Sequence, residues 1–502
     1  MMPNENNNIK QTHIFLIKVP YLHLFKGEQV NMFPIGVATI AAVLRKNNFP
    51  ITFLDPENQN MTTDGVVKKI KQEKPAVVGV SCVSANYNLA LEYLKAAKEI
   101  GAYTVLGGNH ASSGDPKKLL EQAPYVDFLL FGEADYTVLE LCEFLEQKRT
   151  DFENILGLAY RKGSSVQLNG RRPFIDDIDK IPPPVWDLVD MNKYTVSNFM
   201  WRGKGAVPLM TSRGCPTFCI FCATSQVNGR KFRAQSAERI VRDIEHLLKK
   251  YGTKYIVFVD DIFTINKDRV RKFCELMIEK KINVKWFCLA RVNTVDKDLL
   301  VMMKKAGCNW IEYGIEAGDE EVLKTLKKGI TLDQARETFK ATKKAGIKTL
   351  GTFMFGNPGE TRETMEKTIK VAIELNPDIA QFSLIAPLPG TELWEKYKGS
   401  LYLLKDDLEN STTYGINTQS SDLGYVHRDF SAEELQEVLS SAFKRFYLRP
   451  TYAFGQVLKM RSLHDFLYLL EGAQTVSKQL VNINLKKFFF RPVKPSETAV
   501  GG

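Results

Sequence analysis

The sequence predicts an α/β protein with two parallel-sheet units. These are a Rossmann-like N-terminal domain and a partial (β/α)6 barrel of the TIM type, followed by a small helical C-terminal region. Three observations carry this. Short apolar runs alternate with longer amphipathic stretches over residues 13–150, a second series of six runs starts near Val207, and the alternation stops near position 400. Strands separated by helices read as parallel sheets. The 502 residues, 44% apolar and 25% charged, are ordinary for a globular chain of about two to four domains. That composition excludes a disordered chain, a collagen-like chain and a disulfide-stapled miniprotein.

Residues 1–12 are polar and rich in Asn, without the apolar core of a signal peptide, so a cytoplasmic location is expected. The longest largely apolar run, 34–44, broken only by Thr39, falls short of the roughly 20 residues of a membrane span. In the first unit, 13–150, strands are expected at 13–18, 51–54, 77–81, 104–106 and 128–131. Leu91, Leu94, Ala97 and Ile100 mark one helix face between them. Ligands of such sheets sit beyond the carboxyl ends of the strands, here 81–86, 107–111 and 132–135. Residues 151–204 are expected as a linker, with a hairpin of 157–160 on 165–168 and a stiff Pro182-Pro183-Pro184.

The barrel unit is 205–398, with strands expected at 207–211, 255–259, 285–289, 310–314, 349–355 and 379–385. Ser236 can cap a helix that ends before Gly252, and Thr331 with Gln334 forms a capping box for one that stops at Gly346. Residues 399–502 read as helical and irregular. The net charge of +10 is spread along the chain. No basic face interleaved with aromatics stands out, so a solvated surface is expected and a nucleic-acid partner is not.

Eight cysteines are present, three of them in Cys215-Pro-Thr-Phe-Cys219-Ile-Phe-Cys222, directly after the first strand of the second series. In a cytoplasmic chain such a cluster points to metal chemistry rather than disulfides. Three thiolates on one tight loop can hold three corners of an iron–sulfur cube, and without a fourth Cys nearby one iron stays open to a substrate. A zinc site, which wants four closed ligands, and three merely buried thiols are the competing readings. Cys274, Cys288 and Cys308 are too widely spaced for a second cluster and read as small buried residues.

On these residues the chain resembles the radical S-adenosylmethionine (SAM) superfamily, over 205 to about 395. Phe221 matches the aromatic that contacts the SAM adenine. Asp260-Asp261-Ile262-Phe263 matches the segment whose backbone binds the SAM amino group. Gly314-Ile315-Glu316-Ala317-Gly318 matches the segment that approaches the ribose. Gly356-Asn357-Pro358-Gly359 and Ala386-Pro387-Leu388-Pro389 follow the fifth and sixth strands. Singly, each also reads as a plain turn or a surface carboxylate. The N-terminal unit is similar to a cobalamin-binding domain, which places Ser81, Val83, Gly107, Gly108, His110, Gly132 and Glu133 at the cofactor. Glycine would allow close backbone approach and the hydroxyl a hydrogen bond. His23 departs from the Asp-x-His-x-x-Gly pattern that ligates cobalt and reads as a loop residue. The methylthiotransferases need three Cys in the N-terminal domain, and only Cys82 and Cys142 occur there.

The segment 442–450 resembles the tail of the subfamily of the anaerobic bacteriochlorophyll cyclase and the hopanoid-modifying enzymes. The aromatic and basic stretch 485–491 suits a peripheral membrane contact, or else a short packed segment. The resemblance implies a 4Fe-4S cluster on Cys215, Cys219 and Cys222, with SAM and cobalamin. It implies reductive cleavage of SAM to a 5′-deoxyadenosyl radical and methylation of an unactivated carbon. The implied substrate is a small molecule, of lipid or tetrapyrrole type, and the electron donor is a protein such as flavodoxin or ferredoxin. Radical ring formation with the same cofactors, and a non-catalytic corrinoid or cluster-binding protein, stay open beside it.

Overall fold

The computed structural model describes residues 9–20, 31–83, 86–196, 201, 205–388, 390–404, 425–452 and 455. His23, Pro389 and the stretch 485–491 lie outside the described residues. Strands β1 (Ile14–Lys18), β2 (Ile51–Leu54), β3 (Val77–Ser81), β4 (Tyr103–Gly107) and β5 (Phe128–Leu130) are parallel, in the order β2-β1-β3-β4-β5. All of β1 and β5 is buried, because helices cover both faces. That is why these strands show in the sequence as continuous apolar runs. The order reverses between β1 and β3, where a doubly wound sheet opens a crevice at its carboxyl edge.

The expected hairpin forms as β6 (Leu158–Lys162) and β7 (Ser165–Leu168), but it is not part of a free linker. β6 pairs antiparallel with β5 and extends the sheet to seven strands, covering an edge that would otherwise stand open. Other described parts of the segment dock on both units: Ile178 and Ile181 pack with Val43, while Val196 and Trp201 pack with Ala206 and Tyr255. Tyr194 Oη donates to Asp55 at 2.7 Å, and the buried Lys18 at the end of β1 pairs with Asp55 (3.4 Å) and Glu57 (2.7 Å).

The second unit comprises β8 (Ala206–Leu209), β9 (Ser212–Arg213), β10 (Arg233–Ala234), β11 (Tyr255–Phe258), β12 (Lys285–Ala290), β13 (Cys308–Glu316), β14 (Lys348–Phe355) and β15 (Ile379–Leu384). β8 and β11 to β15 form one six-stranded parallel sheet in chain order, a partial barrel with β8 and β15 at its edges. Ala206, Tyr255, Val257, Phe287 and Trp310 pack together near the amino ends of their strands and fill that end of the barrel. The site is therefore left to the carboxyl ends. The helix caps stand as expected. Ser236 Oγ accepts from Arg239 N (3.2 Å), Gly252 ends that helix at φ +63, and Thr331 and Gln334 cap each other.

After the barrel, β16 (Tyr402–Leu404) and β17 (Tyr425–His427) form an antiparallel pair where helical structure is expected. Strands of three residues are too short for alternation to reveal. The helix Ala432–Tyr447 packs on β15 and on the helix Arg362–Leu375, and Tyr447 Oη donates to Ala380 O at 2.8 Å. Among the described residues no helix is long and apolar enough to cross a membrane.

Candidate active site

The three-cysteine loop, 214–232, leaves from β9 and returns through β10. Gly214 has φ +86, and a Cβ there would stand 2.2 Å from Lys231 O, so only glycine fits before the first cysteine. Buried Ile220 pins the middle of the loop to the core. Its N–H donates to Leu326 O (3.1 Å), and its carbonyl accepts from Leu393 N (2.8 Å). The Asp260 carboxylate fastens the loop's entry. It accepts from Thr211 N, Thr211 Oγ1 (2.5 Å) and Ser212 N (3.0 Å), and pairs with Arg269 (3.5 Å). Ile262 is buried, which leaves its backbone as the available group. Burial, with Asp260 beside it, pushes the Asp261 carboxyl up to about 6, against hydrogen bonds to Thr224 and Asn228.

Cys215 and Cys219 are buried and Cys222 is half-buried. Thr217 Oγ1 lies 3.1 Å from Cys215 Sγ and 3.7 Å from Cys219 Sγ, and Arg291 Nη1 donates to Cys219 Sγ at 3.5 Å. Among the described residues no three His, Cys, Asp or Glu side chains converge on one point as they would around a single metal ion. A cubane cluster binds each thiolate to a separate iron, so the thiols surround the cluster instead of meeting at a point. Donors aimed at its sulfurs tune it. Three thiols on one loop, one of them served by a guanidinium, fit that anionic group. The other five cysteines are buried. Cys288 and Cys308 share a hydrogen bond near Cys274 in the barrel core, and burial pushes the Cys82 and Cys142 thiols up to about 12.

From Arg291 a chain of contacts runs to Phe221 and Glu316. Arg291 Nη2 donates to Lys328 O. Lys328 Nζ pairs with Glu316 at 2.7 Å and stands 5.9 Å over the Phe221 ring. Glu316 sits at φ +73, where β13 shifts register against β14. A Cβ on Gly314 would lie 2.4 Å from Glu316 Oε1, so the glycine makes room for the folded-back carboxylate. Glu312, on the same strand, is partly reached by solvent. Burial and the nearby Glu316 push its carboxyl up to about 7, with Lys328 opposing. Pro387, buried, follows β15.

At the N-terminal sheet, Ser81 and Gly107 end the neighbouring strands β3 and β4. Gly108 has φ +101, and a Cβ there would come 2.4 Å from Cys82 O and 2.9 Å from Ser81 Oγ. This glycine is needed for the approach of β3 and β4 to each other. Gly107 has nothing within 4 Å of such a Cβ and is the one that opens space. Val83 N donates to Asn86 Oδ1 at 2.9 Å. His110 lies against the Tyr87 ring, 4.3 Å between centroids, and burial pushes its imidazole down to about 4.

Gly132, at φ +77, donates its N–H to Ser112 Oγ at 3.1 Å. The Glu133 carboxylate reaches the ribbon that carries the cysteine loop. It accepts from Ile175 N (2.8 Å), pairs with Arg233 (2.6 Å) and lies 3.7 Å from Arg213. Asp135 pairs with Arg213 through both oxygens, at 2.7 and 3.1 Å. The Arg213 guanidinium holds the Asp135 carboxyl below its usual range despite burial, which raises it. The two units thus meet at the cysteine loop, where helix Asn109–Ser113 also packs against helix Thr224–Asn228.

Sequence reasoning missed Thr217, Arg291, Lys328, Arg213 and Arg233. Arg213 and Thr217 carried a local signal, two residues before and two after Cys215.

Residues 209–372 match the radical SAM superfamily and residues 29–142 the B12 binding domain. An uncharacterized methyltransferase of Pyrococcus horikoshii is 34% identical over 419 residues, 83% of this chain and 88% of its own length. The anaerobic magnesium-protoporphyrin IX monomethyl ester cyclase of Rubrivivax gelatinosus is 28% identical over 427 residues, 84% of this chain and 74% of its own. The radical SAM methyltransferase TsrM from Kitasatospora setae, solved with cobalamin and a [4Fe-4S] cluster bound, superposes with a TM-score of 0.64. At 18% identity over 76% of this chain and 77% of that one, the likeness carries the fold alone. Fold and site define a radical SAM enzyme with a B12-binding domain. The chain belongs to the cobalamin-dependent radical SAM family, whose cofactors are SAM, a [4Fe-4S] cluster and cobalamin.

Proposed function

We propose that this enzyme methylates an unactivated carbon of a small-molecule substrate, with Cys215, Cys219 and Cys222 as the cluster ligands. The observation that carries the reading is the three-thiol loop, served by Thr217 and Arg291, closing against the carboxyl edge of a B12-type sheet. When bound, the cofactors supply the electron for reductive SAM cleavage, the hydrogen-abstracting radical and the methyl group.

The protein's own part is binding, orientation and exclusion of water. Phe221, Ile262, Glu316 and Pro387 line the SAM side, with the backbone at 260–262 as its polar edge. Glu316 is held there by Lys328. Ser81, Val83, Gly107, Gly108, His110 and Gly132 line the cobalamin side. The Asp260 and Glu133 carboxylates hold the cysteine loop, and both residues stand beside the cofactor sites proposed here. A flavodoxin- or ferredoxin-type donor would reach the cluster at the loop's tip, where Phe218 is 59% exposed. The domain division proposed is a cobalamin-binding unit from 13 that takes in the hairpin, a radical SAM barrel at 205–398 and a C-terminal region from 399.

The substrate class proposed is lipid or tetrapyrrole, at the cytoplasmic side of a membrane. Radical ring formation is the second reading, favoured by the likeness to the cyclase across most of the chain. The test is anaerobic reconstitution with iron, sulfide and hydroxocobalamin, then SAM and a strong reductant. 5′-Deoxyadenosine, S-adenosylhomocysteine and methylcobalamin are quantified by mass spectrometry. All three, with deoxyadenosine lost in Cys219→Ala, support methylation. With candidate substrates added, deoxyadenosine accompanied by a dehydrogenated or cyclised product supports ring formation. No deoxyadenosine from a protein with a full cluster refutes both.

A further inference from the structure

We infer that Glu133 and Asp135 are positioning residues that set the cysteine loop, and with it the cluster site, in register with the cobalamin site, an inference that rests on the cofactor reading above. The loop enters and leaves through the ribbon β9–β10, where Arg213 and Arg233 are cross-strand partners. Both arginines reach the same short acidic segment after β5. Asp135 takes Arg213 in a two-pronged pair, and Glu133 takes Arg233 at 2.6 Å. These four side chains are 2–12% exposed. A solvated surface pair contributes little, and a buried one is weak evidence for stability, so fixed geometry is the better account of this arrangement. The planar guanidinium fork sets direction as well as distance.

Arg233 has no slack. Three further donors go to Ile175 O, Asn228 O and Lys231 O, the last two within the loop itself. On one side the lever is short, because Arg213 is two residues from Cys215. On the other, Gly132 beside Glu133 bonds Ser112 in the helix that starts directly after Gly107-Gly108. The clamp therefore joins the first thiol to the edge read as the cobalamin site through a few rigid links.

The test uses the full chain and the isosteric variants Asp135→Asn and Glu133→Gln. In the apo protein, hydrogen exchange is followed by mass spectrometry. Exchange of 214–223 should rise by about tenfold while β1 to β5 and β11 to β15 keep wild-type rates. In the reconstituted protein, the magnetic interaction between the reduced cluster and cob(II)alamin is read by electron paramagnetic resonance. Wild type should give one defined coupling. Asp135→Asn, with both groups at full occupancy, should give a weaker or spread one. The exchanged pair Asp135→Arg with Arg213→Asp should restore it, at least in part. Unchanged coupling and unchanged loop exchange in both variants overturn the inference. Should Asp135→Asn fail to fold, Asp135→Glu keeps the charge on a longer arm and must still shift the coupling, or the inference falls. If wild type takes up no cobalamin or no cluster, the functional reading fails, and loop exchange alone then decides for or against the clamp.

Discussion

Asp260 is the residue whose removal should reveal most about how the cysteine loop is held. Its carboxylate satisfies two backbone N–H groups and a hydroxyl at the loop's entry, and it is the counter-charge of Arg269. Asp260 is 1% exposed and the Arg269 side chain 7%. Asp260→Ala would leave a buried guanidinium without its partner and orphan the N–H groups of Thr211 and Ser212. Breaking a buried pair costs about 3–5 kcal/mol, and an orphaned buried donor about 1–3 kcal/mol. These overlap, because relaxation or entering water would serve both, so about 4 kcal/mol is expected in total. For a unit near 200 residues this lowers the barrel's thermal transition by roughly 8–16 °C. Asp260→Asn keeps one acceptor and should lose about half as much. The assay is calorimetry of the apo protein, with alkylation of Cys215 and Cys219 followed in parallel. A transition within about 2 °C of wild type, with unchanged alkylation, would refute the fastening role.

Three other outcomes are expected. Glu316→Ala leaves Lys328 buried beside Phe221 and should destabilise the barrel by about 3–5 kcal/mol; Glu316→Ala with Lys328→Met should recover most of it, measured by urea unfolding. The raised Glu312 carboxyl stays protonated in the folded state between its ordinary 4.5 and about 7, so its contribution declines as pH rises through that window. Glu312→Gln should flatten the fall in barrel stability between pH 5 and 8 by about 1–2 kcal/mol, discounted for solvent reaching the group, and identical pH profiles for the two proteins would exclude this. Gly108→Ala, whose Cβ would meet Cys82 O at 2.4 Å, should cost at least about 2 kcal/mol in the N-terminal unit and abolish cobalamin retention on gel filtration.

The parts of this molecule that depend on near neighbours were legible in the sequence. Strand runs, the caps at Ser236 and Thr331 and the spacing of the three cysteines are all local, and each stands where it was expected. What the sequence does not encode is the protein partner of each carboxylate. Asp260 and Glu133 sit at the strand ends where a ligand would approach, yet the Asp260 carboxylate is held by Thr211 and Ser212, 49 and 48 residues back, and the Glu133 carboxylate by Arg233 of the other unit. A carboxylate's partner is set by three-dimensional contact, and no periodicity encodes it. The docking of the hairpin on β5 is equally non-local, because the same two strands would read alike on a free linker. The left-handed Glu316 gave no sign either, since glutamate is not a residue that announces positive φ.

The sealing of five of the eight cysteines gives the folded chain a chemical counter of its own. Cys82, Cys142, Cys274, Cys288 and Cys308 are at most 3% exposed, so a bulky maleimide applied to the native apo protein meets only the loop. Labelling should not exceed three per chain, with half-buried Cys222 ahead of Cys215 and Cys219, and should climb to eight in denaturant. Damage from air should follow the same division, striking the loop first and sparing the frame. A stored sample that has lost its cluster could then be graded, as reloadable or spent, by a count of free thiols before any cofactor is added back.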